Sequence, residues 1–309
     1  MSMRVTFLGT SGAVPTTHRN PTAIYCQREG DGFLFDCGEG TQRQMMRFRT
    51  GFSIDHIFVT HTHGDHVLGI PGLVQTMDFN ERDAALAIHC PPGEKRLVER
   101  LVSATGTRPS FPVRVNEVTA GEVALRGDEY EVRAFDVEHR TTAVGYALVE
   151  DDRKGRFDRD RAEELGVPVG PKFSALHEGR SVELDDGTVV DPEQVVGDPR
   201  PGRRFVYTGD TEPVDSTVEA ATRADLLVHD ATFAEDRRDR ASQTGHSTAK
   251  QAGEVAARAG AKRLALTHIS SRYAGDVSAH LDEARSVFAG EVFVPEDGDT
   301  VEIPYPDAA

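Results

Sequence analysis

Short apolar runs, each ending on a polar residue, recur along the chain. Residues 5–8 (Val-Thr-Phe-Leu), 33–36 (Phe-Leu-Phe-Asp), 57–60 (Ile-Phe-Val-Thr) and 86–90 predict strands in the first half. Residues 130–137 and 144–149 predict a strand pair, and 204–208, 226–228 and 263–267 predict three further strands. Between them, apolar residues return at helical spacing over 42–48, 67–77, 94–101 and 248–257, the second containing Pro71 and the last beginning at His246 or Ser247. The sequence strand, polar residue, helix occurs in both halves. It predicts two similar β-rich halves: a sandwich of two sheets flanked by helices, with the strand ends gathered at one edge.

Two stretches depart from this pattern. Residues 150–203 are dense in charge, glycine and proline, as in Leu165-Gly166-Val167-Pro168-Val169-Gly170-Pro171, with little apolar periodicity. They are expected to form an insertion that projects from the domain, with a structureless linker as the alternative. Leu8-Gly9-Thr10-Ser11-Gly12 lacks the lysine and glycine spacing of a phosphate-binding loop and is expected to be a strand-exit turn.

The candidate chemistry lies at the strand ends. His61-Thr62-His63-Gly64-Asp65-His66 places three imidazoles and a carboxylate within six residues. Such a cluster is costly to solvate at a strand end unless something binds it, and these are metal-ligand types. Its spacing differs from the helical H-E-x-x-H arrangement and points to two metal ions. His61, His63, His139 and Asp210 could hold one ion; Asp65, His66 and His268, sharing Asp210, could hold the other. Asp65 could also accept a proton from water. His246, in a loop ahead of a helix, could protonate a leaving group with Asp230 to orient it, or the loop could simply cap the helix. Asp36 could orient a ligand histidine or form an ordinary turn. His18, His56, His89, His177, His229 and His280 are expected to be structural or superficial.

Composition bounds the class. The chain has 309 residues, 38% of them hydrophobic, and a mean hydropathy of −0.43. No apolar run approaches the roughly 18 residues of a membrane span. The N-terminus runs straight into the first strand, so no signal peptide is expected. Cys26, Cys37 and Cys90 lack paired spacing, which fits free thiols in a reducing cytoplasm. A net charge of −16 would ordinarily argue against a nucleic-acid partner. However, lysine occurs only at 95, 154, 172, 250 and 262, and an acid-rich, lysine-poor surface is what a salt-loaded cytoplasm selects. Global charge therefore speaks to solvent more than to substrate.

His61-x-His63-x-Asp65-His66, followed by isolated His139, Asp210 and His268, resembles the metallo-β-lactamase superfamily pattern. More narrowly the chain resembles the ribonuclease Z family, endonucleases that remove 3′ trailers from precursor tRNA. Arg19 and Asn20 are similar to the end of that family's P-x-K-x-R-N loop, with Thr17 where lysine is common. His229-Asp230-Ala231-Thr232 resembles its H-E-A-T loop, with Asp230 in place of glutamate, and His246-Ser247-Thr248 resembles its H-S-T loop. Residues 165–171 resemble the glycine-proline motif of the flexible arm that grips the tRNA body. The composition suggests a haloarchaeal member.

This resemblance implies an α/β, four-layer αββα metallo-β-lactamase sandwich as a single domain over 1–309, with residues 150–203 as an inserted flexible arm, the tRNA-binding exosite. It implies a cytoplasmic, membrane-free homodimer with two Zn2+ per subunit, in which one subunit's arm helps present tRNA to its partner's site. Cleavage would fall 3′ of the discriminator nucleotide and leave a 3′-hydroxyl, with Asp65 as base and His246, supported by Asp230, as acid. Arg19, Asn20, Gly166, Pro168, Gly170 and Pro171 would contact substrate. Lys154, Arg156, Arg159, Arg161, Lys172 and Arg180 would supply a local basic face on an acidic arm. The alternative is a hydrolase of the same superfamily acting on a small phosphodiester or ester, which would have no use for a long insertion. A non-catalytic RNA-binding descendant is disfavoured, because all seven candidate ligands are present.

Overall fold

The computed structural model describes residues 2–106 and 108–306, and the chain divides into two compact units. The larger is built from the residues up to Val149 together with Arg203–Pro304. It contains two seven-stranded sheets. The first runs Thr300–Glu302, Met3–Gly9, Ala23–Arg28, Asp31–Phe35, His56–Phe58, Leu86–Cys90, Val113–Glu117. The second runs Glu291–Phe293, Arg263–Thr267, Leu226–Asp230, Arg204–Tyr207, Val144–Glu150, Tyr130–Asp136, Val123–Arg126.

The alternation along each strand sorts side chains into three apolar layers. Phe33, Phe35 and Phe58 of the first sheet meet Tyr146, Phe205 and Tyr207 of the second in the layer between the sheets. Leu34, Ile57 and Leu86 point the other way, onto the helices Thr41–Phe48 and Ile70–Phe79. Val206, Leu227, Leu264 and Leu266 pack on the helix Ala249–Ala259. The result is the expected four-layer αββα sandwich. Each fully buried aromatic or aliphatic side chain contributes about 1.5–3 kcal/mol, and a one-residue slip would turn Phe33 and Phe35 outward, so this alternation also fixes the register.

Three features differ from the sequence-based expectation. The helix expected over 67–77 is two helices, Gly64–Val67 and Ile70–Phe79. Pro71 lies in the first turn of the second, where its missing N–H costs nothing. Gly69, between them, presses so closely on Gly38 that an added Cβ would lie 2.0 Å from the Gly38 carbonyl oxygen. Ala23–Arg28 is an additional strand, buried on both faces and so without polar alternation, and Val113–Glu117, Val123–Arg126, Glu291–Phe293 and Thr300–Glu302 are further strands at or near the sheet edges that the periodicity does not predict. Finally, Thr300–Glu302 pairs with Met3–Gly9, so the sheets do not divide cleanly between the two halves of the chain.

The smaller unit comprises Glu150–Gly202 with the residues from Tyr305 onward. Helices Arg159–Glu164 and Pro171–His177 and a two-stranded hairpin surround Ala162, Val167, Leu176, Val182, Val190 and Val195. Gly166, at φ 80°, ends the first helix and Pro171 starts the second, leaving Pro168 and Val169 exposed between them. The expected basic face is largely neutralised. Arg159 pairs with Glu163, Arg161 with Glu164 and Arg180 with Glu178, while Lys172 donates to the Glu183 carbonyl. Acids three and four residues on place partners beside Arg159 and Arg161.

Among the described residues no helix is long and apolar enough to cross a membrane. Cys26, Cys37 and Cys90 are buried and lie outside any disulfide among the described residues.

Two buried histidines make stability depend on pH. His89 stacks on Phe58, and its Nε2 lies 3.1 Å from His56 Nδ1. Burial, with His56 adding to it, pushes the His89 imidazole down to about 4, and burial does the same to His280. The unfolded chain takes up these protons near pH 6.5, whereas the folded chain resists until about pH 4. Stability should therefore fall as pH drops through that window, by up to about 3 kcal/mol per histidine. Urea unfolding across the window measures it. His89→Gln should flatten the dependence, and an unchanged slope would assign the protons to other groups.

Candidate metal centre

The strand His56–Phe58 delivers the chain to Thr60 and His61 at the sheet edge, and Arg204–Tyr207 delivers Asp210 from the other sheet. His139 follows Tyr130–Asp136, and His268 follows Arg263–Thr267. His61, His66, Asp210 and His268 are almost fully buried; His139 is half-buried and His63 exposed. His61 Nε2 lies 2.9 Å from His63 Nδ1, which lies 3.3 Å from His139 Nε2. Asp210 Oδ2 is 3.6 Å from His61 Nε2, while its Oδ1 is 3.3 Å from both His66 Nε2 and His268 Nε2. Asp65 Oδ2 completes the second group, 3.5 Å from His66 Nε2 and 3.2 Å from His268 Nε2. All seven predicted ligands thus meet, and Asp210 offers one oxygen to each side.

Each inner imidazole is aimed by a partner on its far nitrogen. His66 Nδ1 donates to Asp36 Oδ2 at 2.8 Å, His139 Nδ1 to the Gly245 carbonyl at 2.7 Å and His268 Nδ1 to Thr232 Oγ1 at 2.8 Å. His61 Nδ1 lies 3.1 Å from Thr60 Oγ1. Each of these four therefore presents Nε2 to the cluster. Asp36 and His268 hold left-handed backbone at φ 56° and 62°, strained positions for non-glycine residues. Ser11–Gly12 is a short strand paired with Ile269–Ser270 rather than the expected turn, and Gly12 passes His268 so closely that a Cβ there would lie 2.6 Å from its Nδ1, which explains the glycine at this position.

The electrostatics call for a cation. Burial, with His66 next, holds the His61 imidazole well below its usual range. Burial acts to raise the Asp65 and Asp210 carboxyls, but the surrounding histidines outweigh it and hold both well below the carboxylate range. Burial likewise opposes a charge on His66, yet Asp210 and Asp36 raise it well above a normal histidine. Carboxylates that force a proton onto a fully buried imidazole would be satisfied equally by a metal ion. Among the described residues, His66 Nε2 and Asp210 Oδ1, both aimed inward, have no hydrogen-bond partner. Orphaned nitrogen and oxygen atoms of this kind fit a metal site.

Beside the cluster, His246 Nδ1 lies 2.8 Å from Asp230 Oδ2. Burial opposes its protonation, but Asp230's charge and hydrogen bond prevail and raise it to about 9. Asp230 is itself fixed by the Thr211 and Thr232 backbone N–H groups and the Thr232 hydroxyl. Above the metal ligands, Ala13, Pro15, Pro21, Glu39 and Leu68 help wall a cavity of about 400 Å3.

Comparison with known proteins places this arrangement. A domain described as the beta-lactamase superfamily domain matches residues 193–269, and one described as anti-Pycsar protein Apyc1 matches residues 3–142. A protein of Haloferax volcanii named ribonuclease Z is 66% identical over 308 residues, covering 100% of this chain and 97% of its own. A ribonuclease Z of Natronomonas pharaonis is 64% identical, covering 99% of this chain and 100% of its own. The chain belongs to the ribonuclease Z family. The crystal structure of the short form of human tRNase Z has a TM-score of 0.71 at 28% identity, covering 97% of this chain and 99% of that one. The two mixed sheets and flanking helices form the metallo-β-lactamase fold.

Several groups that serve this ribonuclease Z site escape a reading of the sequence. Tyr207 donates to Asp36 Oδ2 at 2.7 Å, linking the second sheet to the first, and Thr60 donates to the same carboxylate through its backbone and hydroxyl. Ala13 N–H donates to Asp65 Oδ2 at 2.8 Å. In sequence, Tyr207 is one more inward residue of a strand, and a backbone donor such as Ala13 leaves no residue signature. Arg19 is buried and donates to Thr10 Oγ1 and the Pro295 carbonyl, while Asn20 donates to the Glu39 carbonyl. Both side chains hold the loop that carries the cavity wall.

Tyr207→Phe tests the outer ring. Loss of that hydrogen bond should leave the fold intact and weaken metal binding about 10-fold or more, measured by chelator competition. Undiminished affinity would show that Asp36 needs no help from the phenol.

Proposed function

We propose that this chain is a zinc-dependent endoribonuclease that removes 3′ trailers from precursor tRNA, cutting 3′ of the discriminator nucleotide. The observation that carries this proposal is Asp210 divided between two histidine sets, with His246 held by Asp230 beside it. Family membership over the full chain supplies the substrate class.

His61, His63, His139 and Asp210 would hold one zinc ion; Asp65, His66, His268 and Asp210 would hold the other. Bound there, two such ions would supply Lewis acidity and lower the pKa of water, so that a nucleophile would be available at neutral pH. Asp65, aimed by Ala13 N–H, accepts the proton of the attacking water. As the bond from phosphorus to the 3′ oxygen breaks, His246 gives that oxygen its proton, leaving a 3′-hydroxyl on the tRNA and a 5′-phosphate on the trailer. Asp230 holds His246 Nδ1, which leaves Nε2 as the donor. Arg19 and Asn20 act on RNA through the loop they brace.

The segment 150–203 is assigned as the exosite for the tRNA body, contacting it through the loop that carries Gly166, Pro168, Gly170 and Pro171. The protein is taken as a homodimer in which this segment of one subunit serves the other's site.

Cleavage of a 3′-extended precursor tRNA tests the proposal. Wild type should make one cut after the discriminator. Asp65→Ala should abolish it, and His246→Ala should lower kcat by about 10²–10⁴-fold with KM little changed. Deleting residues 155–195 should collapse tRNA cleavage while hydrolysis of a model diester survives. A wild-type protein that hydrolyses the diester and leaves precursor tRNA uncut would instead be a small-substrate hydrolase.

A further inference from the structure

We propose that the cavity between the helix Lys95–Val102 and the edge strand Val113–Glu117 binds the single-stranded 3′ trailer through its phosphates. This inference rests on the precursor-tRNA reading of the metal centre.

The cavity measures about 880 Å3, about twice the volume over the metal ligands. Arg96, Arg100 and Arg108 line it together with Glu99, above apolar surface from Val113 and Val115. Three arginines against one glutamate leave a local charge of +2 in a chain whose net charge is −16. Among the described residues, none of these three guanidiniums has an ion pair or hydrogen bond. The contrast with residues 159–180 is direct, because there Arg159, Arg161 and Arg180 are each matched by an acid. Clustered, unpaired cations repel one another, and an anion drawn between them removes that cost.

Their placement relates them to the metal centre. Thr62, between two metal-binding histidines, donates to Glu94 Oε2 at 2.9 Å, and Glu94 is the N-cap of this helix. Arg96 follows within the first turn. Arg100 lies four residues further on the same face, roughly 6 Å along the axis. Arg108 follows beyond the helix end. Positive charge thus steps away from the cluster in chain order. A charged groove with apolar surface for bases is how proteins hold single strands without reading their sequence. A cavity of this size takes a short single strand, and the trailer is the single-stranded product of the proposed cut.

Kinetics of the zinc-loaded protein test the assignment. One precursor tRNA is made with a trailer of a single nucleotide and with one of about ten nucleotides. Wild type and the triple variant Arg96→Gln, Arg100→Gln, Arg108→Gln are compared across a salt series. For the long trailer the variant should raise KM roughly tenfold and reduce the slope of log KM against log salt by about 2, three contacts at about 0.7 each. The single-nucleotide precursor and a model diester should be cut as by wild type, the latter also showing that the variant is folded. An unchanged KM and slope on the long trailer would overturn the assignment. Equal losses on both trailer lengths would overturn it too, because the charges would then serve the tRNA body. Failure of wild type to cut either precursor would sink the substrate reading itself.

Discussion

Asp210 is a carboxylate buried almost completely at the meeting of two sheets, with its oxygens turned toward different sets of imidazoles. One oxygen has no hydrogen-bond partner among the described residues, a condition that costs several kcal/mol in the interior unless a cation is supplied. The surrounding structure meets that demand by fixing the direction of the inner candidate ligands. Asp36 accepts from His66, Thr60 and Tyr207, so a residue from each sheet meets at one carboxylate and the inter-sheet distance is tied to the pose of a ligand. Strained backbone at Asp36 and His268 is tolerated because the packed strands around both positions leave no relaxed alternative.

The same logic separates the proposed acid from the candidate metal ligands. His246 stacks on His268, their centroids 5.1 Å apart, yet its Nδ1 is held by Asp230. Two neighbouring imidazoles therefore sit in different settings. His268 is oriented by a neutral hydroxyl and turns a lone pair inward; His246 is oriented by a carboxylate, which favours its protonated form. Thr232 serves both, since its hydroxyl donates to Asp230 and lies against His268.

Sequence carries the ligands better than it carries their setting. Strand periodicity and a polar residue at each strand end locate His61, His139, Asp210 and His268, because buried strands leave a signal of period two and metal ligands are few in kind. Ala23–Arg28 is hidden because burial on both faces erases the alternation. The break near Gly69 is hidden because it depends on a backbone contact with Gly38, distant in sequence. Charge misleads most. The arginines of residues 159–180 look available until their acids are placed beside them, and Arg96, Arg100 and Arg108 look scattered until the fold gathers them around one cavity.

Anomalous diffraction from crystals grown with zinc tests the shared carboxylate most directly. Two peaks are expected about 3.5–4 Å apart, one against each oxygen of Asp210, with His61, His63 and His139 around one and Asp65, His66 and His268 around the other. A single peak, or a pair in which Asp210 touches only one ion, would contradict the division of that carboxylate on which the proposed chemistry depends.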